Sequence, residues 1–383
     1  MVSGAAGQIK IIRLRQLPYL LSPIFYLLSS ISYLLSPISH LVVFHMQNSV
    51  VLGLSGGVDS AVAATLLKEQ GFAVTGLYLD IGLGGTGAAD AAAVAQRLSI
   101  PFEVADIRAD LEDQVCTPFA AAYQSGRTPL PCALCNPTVK FPALFRLADK
   151  IGARYVSTGH YANVENGVLK KGKPANDQSY MLARLTREQL QRVIFPLGNY
   201  EKTEVRQLAR SFGIPVADKP DSMEICFIPD GDYAAWLDRR GFSTRSGNFV
   251  DKEGKVLGRH KGVHHYTLGQ GRGLGVSGPH RYFVTALRPD TNEVVLSDGS
   301  DLGKSTVFGS APNWIGVEVL DGPLEVTVRL RHSRTQAEGI LYPHENGVRI
   351  EMKAPARAPT PGQLAVFYLG DTVAGSAWIE GAL

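Results

Sequence analysis

A chain of 383 residues, 45% hydrophobic and 19% charged, is long enough for two or three domains and excludes a disordered or fibrous protein. Its four cysteines are too few for a disulfide scaffold of this size, so we expect a reducing, cytoplasmic location. The net charge of +3 comes from residues 1–45, which carry three basic residues and no acid. The remainder is neutral, so any nucleic-acid contact must come from local basic patches.

The first 45 residues do not read as the start of a folded domain. The phrase YLLS recurs at Tyr19, Tyr26 and Tyr33, and prolines and serines interrupt the apolar run. The prolines argue against a transmembrane helix, and the repeat lacks the charged flanks of a coiled coil. We expect translation to begin at Met46, so that residues 1–45 are a non-native or disordered leader whose removal leaves the protein active. A membrane anchor or a targeting peptide is the alternative.

Beyond this leader, short apolar runs alternate with helical patterns. Strands are predicted over 49–54, 73–79, 101–107 and 154–160, and helices over 61–71, 88–98, 111–123 and 139–151. Such alternation predicts an α/β fold with a doubly wound parallel sheet, whose ligands bind beyond the carboxyl ends of the strands. The part beyond Tyr282 has only short strands and turns, which predicts an all-β domain.

The first predicted strand leads into SGGVDS, residues 55–60, and then into a helix. Glycines let the backbone approach phosphate oxygens, and the helix start offers N–H groups and a positive dipole end. The loop lacks the lysine of a Walker motif and the spacing of a dinucleotide fingerprint. It resembles the pyrophosphate loop of adenine-nucleotide alpha-hydrolases, which split ATP into AMP and pyrophosphate. The predicted ATP-contacting residues are Gly53, Leu54, Ser55, Gly56, Gly57, Val58, Asp59, Ser60, Leu79 and Gly159, with Mg²⁺ near Asp59.

Two of the cysteines, Cys132 and Cys135, lie in LPCALCN at C-x-x-C spacing. A structural zinc site needs four ligands, and a second C-x-x-C is absent. A thioredoxin-like pair would follow a strand and open a helix, whereas the prolines place this pair in a loop before a helix at Val139. A catalytic thiol beside an unrelated cysteine is the third interpretation. The flanks of Cys226 are apolar, which by itself favours a buried structural residue.

Six stretches together resemble, in order and spacing, the tRNA-specific 2-thiouridylases over nearly all of residues 48–383. They are GRTPLPCALCNPTVKF (126–141), STGHYA (157–162), NDQSYML (176–182), DSMEICFI (221–228), HHYTLGQGRGLG (264–275) and TPGQLAVFY (360–368). The resemblance implies an ATP pyrophosphatase domain over 46–228, a small central domain over 229–282 and an RNA-binding β-barrel over 283–383.

The same resemblance implies a reaction on the wobble uridine of Lys-, Glu- and Gln-type tRNAs, by a monomer without membrane contact. ATP adenylates O2 of the base, Cys226 carries a persulfide from a sulfur-relay protein, and sulfur reaches C2 as AMP leaves. Cys135 assists, either by releasing sulfide or by forming a disulfide with Cys226. Because thiolates do this work, we expect both thiols to be partly exposed and electropositive. The loop over 221–229 should close when tRNA binds.

The resemblance also implies a set of tRNA contacts. They are Leu130, Pro131, Cys132, His160, Asn176, Asp177, Gln178, Arg331, His332 and Gln363. Leu130, Cys132 and His332 depart from the family pattern, where Asn, Asp and Tyr are common. Three basic clusters are expected to form a phosphate track: Lys170, Lys171 and Lys173; Arg259, His260 and Lys261; Arg329, Arg331 and Arg334.

Two rival functions remain open from the sequence. Another ATP pyrophosphatase that makes a small metabolite would explain the SGGVDS loop, but not two distant cysteines or an all-β tail. A non-catalytic, zinc-bound RNA-binding module is a rival from a different class. Dependence of ATP–pyrophosphate exchange on tRNA tests the first rival, and metal analysis tests the second.

Overall fold

The computed structural model describes residues 48–220, 225–241, 245–333 and 335–383. The predictions on residues 1–45 and on the start at Met46 therefore lie outside the described residues, as does the part of the 221–229 loop up to residue 224. Within the described part of the chain, no helix is long and apolar enough to cross a membrane.

The first half of the chain forms a five-stranded parallel sheet in the order β3-β2-β1-β4-β7. The strands of this half are β1 Ser49–Gly53, β2 Ala73–Asp80, β3 Phe102–Asp106, β4 Tyr155–Ser157, β5 Ala162–Glu165, β6 Val168–Lys171 and β7 Val193–Ile194. Val50, Val51 and Leu52 of the central strand are fully buried, as expected for a strand covered on both faces. Chain order runs outward in both directions from β1, so a crevice opens between the carboxyl ends of β1 and β4.

Helices cover both faces of this sheet, which confirms the predicted doubly wound α/β fold. Their regular segments are α1 Val58–Glu69, α2 Gly87–Leu98, α3 Arg108–Leu111, α4 Thr117–Gln124, α5 Pro131–Cys135, α6 Phe141–Ile151, α7 Ser179–Leu182, α8 Arg187–Leu190 and α9 Lys202–Ser211. Helices α1 and α2 pack with Val50 and Leu52 on one face, and α6 packs with Val51 on the other.

The prediction that the C-x-x-C pair lies in a loop before a helix at Val139 is wrong. Helix α5 continues through a π-helical turn, Asn136–Lys140, directly into α6. Pro131 sits in the first turn of α5, where its missing N–H costs nothing. Pro137 and Pro142 fall within and just after the π turn, where the regular hydrogen-bond ladder is already interrupted. The prolines therefore mark an irregular helix, not a loop.

The middle of the chain forms a four-stranded sheet in the order β10-β11-β8-β9. Its elements are α10 Tyr233–Arg239, β8 Gly247–Val250, β9 Val256–His260, a 3₁₀ turn Val263–His265, β10 Phe283–Arg288 and β11 Glu293–Ser297. Strand β11 runs parallel to β8, with Val294 opposite Phe249, and both side chains are fully buried in one core. The strands from 283 to 297 thus belong to this central module, and the barrel starts later than the predicted boundary at 283.

The last 81 residues from Gly303 contain an antiparallel barrel of six strands, ordered β12-β15-β14-β13-β16-β17 and closed by pairing of β12 with β17. A 3₁₀ turn, Ser300–Leu302, precedes it; the strands are β12 Gly303–Trp314, β13 Leu324–Arg329, β14 Ala337–His344, β15 Gly347–Arg357, β16 Leu364–Leu369 and β17 Thr372–Ala382. This confirms the predicted C-terminal β-barrel. Strands β6 and β5 from the first half extend the same sheet beyond β17.

A buried ion pair joins the barrel to the first half of the chain. Arg329 of β13 donates to Asp177 at 2.5 Å, and both side chains are under 10% exposed. The second Asp177 oxygen accepts the backbone N–H groups of Gly172 and Ser179. Tyr180 adds a hydrogen bond from its hydroxyl to the Leu364 carbonyl at 2.9 Å. A charge buried this deeply depends on its partner, because removing one member leaves the other without solvation.

We therefore expect Asp177→Ala to lower the free energy of unfolding by about 3–5 kcal/mol, since Arg329 would stay buried and unpaired. Asp218→Ala is the matched control: Asp218 forms an exposed pair with Arg210, and its loss should change stability by no more than about 0.5 kcal/mol. Denaturant unfolding measures both. Equal losses in the two variants would contradict this role for the buried pair.

Candidate active site

A cleft of about 420 Å³ opens at the carboxyl ends of β1 and β4. The ATP-contacting residues predicted from sequence that line it are Gly53, Leu54, Ser55, Asp59, Ser60, Leu79 and Gly159. Both predicted catalytic cysteines, Cys135 and Cys226, line the same cleft, together with Lys140, His160 and Gln178. The structure thus brings a phosphate-type loop and two thiols, which are distant in sequence, to one cavity.

Two glycines make the loop geometry possible. Gly56 adopts φ +73°, and a Cβ there would lie 2.5 Å from the Gly87 carbonyl oxygen. A Cβ on Gly159 would lie 2.8 Å from the Ser60 nitrogen. Because such contacts are prohibitive, only glycine lets the loop touch the start of α2 and the end of β4.

The start of α1 presents unpaired backbone donors to the cleft. Gly57 is the N-cap of this helix and has no side-chain cap, so the N–H groups of the first turn lack helical partners. The Ser60 hydroxyl donates to the Gly57 carbonyl at 3.0 Å and accepts the Ser55 N–H at 3.2 Å, which holds the loop in a tight turn. Free N–H groups at a helix start form a binding site for an anion such as phosphate.

Two lysines that the sequence analysis missed hold this loop. The Lys202 ammonium contacts both carboxylate oxygens of Asp59 at 2.6 Å, and the Tyr161 hydroxyl donates to Asp59 at 2.7 Å. The Lys219 ammonium donates to the Gly56 carbonyl at 3.2 Å and to Asp90 at 2.6 Å. Each lysine is more than 140 residues from its loop partner in sequence, so spacing could not reveal it.

The local environment raises the pKa of both thiols of the cleft. Desolvation raises the pKa of Cys226 to about 11 and also raises the pKa of Cys135. Lys140 lowers the pKa of both thiols, but its effect is smaller than that of desolvation. Cys226 is exposed as a residue and Cys135 is partly exposed, as expected, but desolvation outweighs the positive charge of Lys140 at both thiols. All four cysteines are free, including Cys116, whose pKa burial raises to about 12.

The cysteines of the C-x-x-C differ in position. They lie three residues apart on α5, one helical turn, yet Cys135 lines the cleft and Cys132 does not. Among the described residues, no group with metal-binding geometry includes a cysteine. This arrangement supports one cleft thiol with a neighbour rather than a zinc knuckle.

His160 lies at the cleft wall and is uncharged. Its Nδ1 is 2.6 Å from the Thr158 hydroxyl, and its ring packs against Phe141 and Phe195. Burial, reinforced by Lys140, holds the pKa of His160 well below its usual value. A neutral imidazole among aromatic rings can stack on a base or hydrogen-bond to it, and its predicted tRNA contact stays a prediction.

The other residues predicted to contact tRNA are more dispersed. Gln178 lines the cleft, whereas Asp177 is committed to the buried pair with Arg329. The Gln363 amide donates to the Thr128 carbonyl at 2.9 Å, and so ties the barrel to the segment that enters α5. The remaining predicted contacts do not line the cleft: Leu130, Pro131, Cys132, Asn176, Arg331 and His332.

The predicted phosphate track needs correction. Arg329 is only 3% exposed and bonds to Asp177, and His260 is equally buried, so neither reaches a phosphate on the surface. Lys170 and Lys173 pair with Glu165 and Glu204. Exposed positions of the track include Arg259 and Arg331, and the described residues do not include Arg334.

Comparisons with known proteins agree with this geometry along the chain. Residues 48–230 match the tRNA methyl transferase HUP domain, residues 236–298 the tRNA methyl transferase PRC-barrel domain, and residues 304–379 the aminomethyltransferase beta-barrel domain.

The chain matches several relatives over nearly their whole length. The chain is 40% identical over 350 residues to the tRNA-specific 2-thiouridylase MnmA 2 of Clostridium botulinum, covering 88% of this chain and 99% of the relative. It is 42% identical over 358 residues to MnmA 1 of Caldanaerobacter subterraneus subsp. tengcongensis, covering 88% and 98%. The corresponding protein of Clostridium perfringens is 41% identical over 357 residues, covering 88% and 99%. Identity at this level across all three parts of the fold shows that the chain belongs to the tRNA-specific 2-thiouridylase family.

Proposed function

We propose that this protein is an ATP-dependent tRNA 2-thiouridylase, which adenylates O2 of the wobble uridine and replaces that oxygen with sulfur. The observation that carries the proposal is a single cleft lined by the SGGVDS loop, Cys135 and Cys226. Membership of the family supports the same reaction.

The loop side of the cleft suits the first half-reaction. The unpaired N–H groups at the start of α1 would bind the β- and γ-phosphates of ATP, which leave as pyrophosphate. The Lys202 ammonium, held by Asp59, lies at the same end and would stabilise the charge that develops on the leaving group. The uridine must leave the anticodon stack to bring O2 to the α-phosphate.

The thiol side of the cleft suits the second half-reaction. A persulfide on Cys226 attacks C2 with its terminal sulfur, and AMP leaves with the former O2. The Cys135 thiolate then attacks the Cys226 sulfur, which releases 2-thiouridine and leaves a Cys135–Cys226 disulfide for an external thiol to reduce. In the alternative route, Cys135 attacks the persulfide first and releases sulfide, which attacks C2. Both routes require Cys135 as a thiolate, so its pKa must fall when the substrates bind.

Asp59 does not form a magnesium site in this conformation. It is the one acidic side chain that lines the cleft among the described residues, and both of its oxygens contact Lys202. A hard dication needs several oxygen ligands, which this carboxylate cannot supply while it holds an ammonium group. We therefore assign Asp59 the orientation of Lys202 and derive no step through Mg²⁺.

The proposed reaction needs a tRNA substrate and a protein that donates sulfur. The proposed substrates are tRNAs of the Lys, Glu and Gln type. A relay protein that carries a persulfide loads Cys226 with sulfur. The enzyme acts in the cytoplasm as a monomer. A small-molecule synthetase would not need two thiols beside the ATP loop. The methyl transferase names of two matching domains do not alter this, because a methyl transfer requires no pyrophosphate loop.

The cysteines should separate into two classes. Cys135→Ser and Cys226→Ser should each abolish 2-thiouridine formation while tRNA-dependent ATP–pyrophosphate exchange persists, because both thiols act after adenylation. Cys132→Ser, the same chemical change one turn away on α5, should retain thiolation. Mass spectrometry of tRNA nucleosides measures the product. If Cys132→Ser is as inactive as Cys135→Ser, the C-x-x-C acts as a unit.

The Asp59–Lys202 pair should be required for adenylation. Asp59→Ala and Lys202→Ala should each lower kcat/KM for ATP–pyrophosphate exchange by on the order of a hundredfold or more, since an electrostatic clamp on the leaving group is lost. Lys150→Ala is the control, because Lys150 pairs with Glu103 on the exposed surface of α6. Exchange near the normal rate in either cleft variant would exclude this role.

The raised pKa of Cys226 predicts slow alkylation of the enzyme alone. A pKa of about 11 leaves roughly a hundredfold less thiolate at pH 8 than the ordinary value of 9. Iodoacetamide labelling of Cys226, followed by peptide mass spectrometry, should therefore be slower than that of a free thiol by about that factor and rise steadily from pH 7 to pH 9. Labelling as fast as free glutathione would contradict the desolvated thiol.

A further inference from the structure

A second group of side chains with metal-ligand chemistry lies in the central module, apart from the cleft. Asp238 is in the last turn of α10, and His264 and His265 form the end of the 3₁₀ turn Val263–His265. One potential ligand atom from each of the three lies within 4.8 Å of the other two. None of these three residues lines the cleft described above.

The local backbone brings the two imidazoles together. Gly262 adopts φ +147°, and a Cβ at this position would lie 2.7 Å from Cε1 of His264. Glycine therefore leaves the room into which the His264 ring folds. The two ring centroids are 4.4 Å apart, and Nε2 of His264 lies 3.2 Å from a carboxylate oxygen of Asp238.

One nitrogen of this group has no partner. Nε2 of His265 is buried and forms no hydrogen bond with any described residue. A buried polar atom without a partner is costly and uncommon in a native protein, and such an atom is often the ligand of a bound ion. With the described residues, the His264 ring forms one hydrogen bond, to the carboxylate of Asp238, so the two rings offer more nitrogen atoms to a metal ion than these residues engage.

The electrostatic setting favours neutral ligands. Burial, followed by the neighbouring His264, lowers the pKa of His265. Asp238 and Asp232 supply negative charge near it, against the positive charge of Lys261. Neutral imidazole is the form that binds a metal ion, and two imidazoles with one carboxylate are a common ligand set for zinc.

We propose that Asp238, His264 and His265 bind one divalent transition-metal ion of the Zn²⁺ type, with a fourth position open to water. Ligands at about 2.0–2.2 Å from zinc stand roughly 3.3 Å apart in a tetrahedron, so small side-chain rotations close the group around an ion. Imidazole and carboxylate donors without a thiolate favour Zn²⁺, Co²⁺ or Ni²⁺ over softer ions.

The position of this site suggests what the ion would stabilise. Helix α10, which carries Asp238, also carries Trp236, whose ring packs against Phe227 at 5.3 Å and Phe119 at 5.7 Å. Phe227 is next to the sulfur-carrying Cys226 of the proposed reaction. An ion bound by α10 and the 3₁₀ turn would therefore hold Trp236 in the position where it packs against Phe227, next to Cys226.

The test uses the full chain, stripped with a chelator, and Co²⁺ alone as the probe. We expect one Co²⁺ per chain with weak visible d–d bands and no sulfur charge-transfer band, a higher Tm on binding, and displacement by Zn²⁺. Asp238→Asn and His264→Gln should each weaken binding by tenfold or more. His280→Gln is the matched control, because His280 is an exposed histidine of the same module that makes an edge-to-face contact with Tyr282.

The outcomes separate this site from the thiols. Cys135→Ser and Cys226→Ser should leave Co²⁺ binding unchanged, so the result does not depend on the proposed thiolation. Three results would each overturn the proposal. They are a wild type that binds no Co²⁺, an Asp238→Asn variant that binds Co²⁺ as tightly as the wild type, and a spectrum with a sulfur charge-transfer band that a cysteine variant abolishes. Equal Tm values of the wild type and Asp238→Asn in chelator show that the variant is folded.

Discussion

The site depends on the contact between the end of β4 and the first turn of α1. This contact exists only because residue 159 is glycine, since any side chain there would clash with the Ser60 backbone. It closes the crevice at the point where the strand order reverses from β1 toward β4. The helix start with its free N–H groups, the neutral His160 and the thiol of Cys135 then share one cavity.

The packing that forms this cavity also controls the ionisation of its two thiols. Apolar neighbours raise the pKa of both thiols, and the opposing charge of Lys140 is too weak to restore thiolates. A thiol with a raised pKa reacts more slowly with electrophiles and oxidants, because the thiolate is the reactive form. Lowering either pKa would need a cation closer to the thiol or water within its reach, because an anionic group or further desolvation would raise it.

The fold was largely predictable because its signals are local. Buried runs such as 49–54 and the alternation with helices indicated the parallel sheet, and short strands indicated the barrel. The prolines around α5 predict a loop, but they lie where a π-helical turn already interrupts the helical hydrogen bonds. The hydrophobic pattern does not show such a turn. The barrel boundary was misplaced because pairing of β11 with β8 is non-local. Lys202 and Lys219 were missed for the same reason, whereas the loop and cysteines were found through motifs.

The buried Asp177–Arg329 pair connects the barrel to a segment that lines the cleft. It fixes the segment from Gly172 to Ser179, and Gln178 within that segment lines the cleft. On the other side, Gln363 of the barrel holds the carbonyl of Thr128, shortly before the helix that carries Cys135. A shift of the barrel by RNA bound to its surface would therefore act on both walls of the cleft at once. Since the ion pair is too buried to break and re-form easily, the barrel and these segments should move as one body.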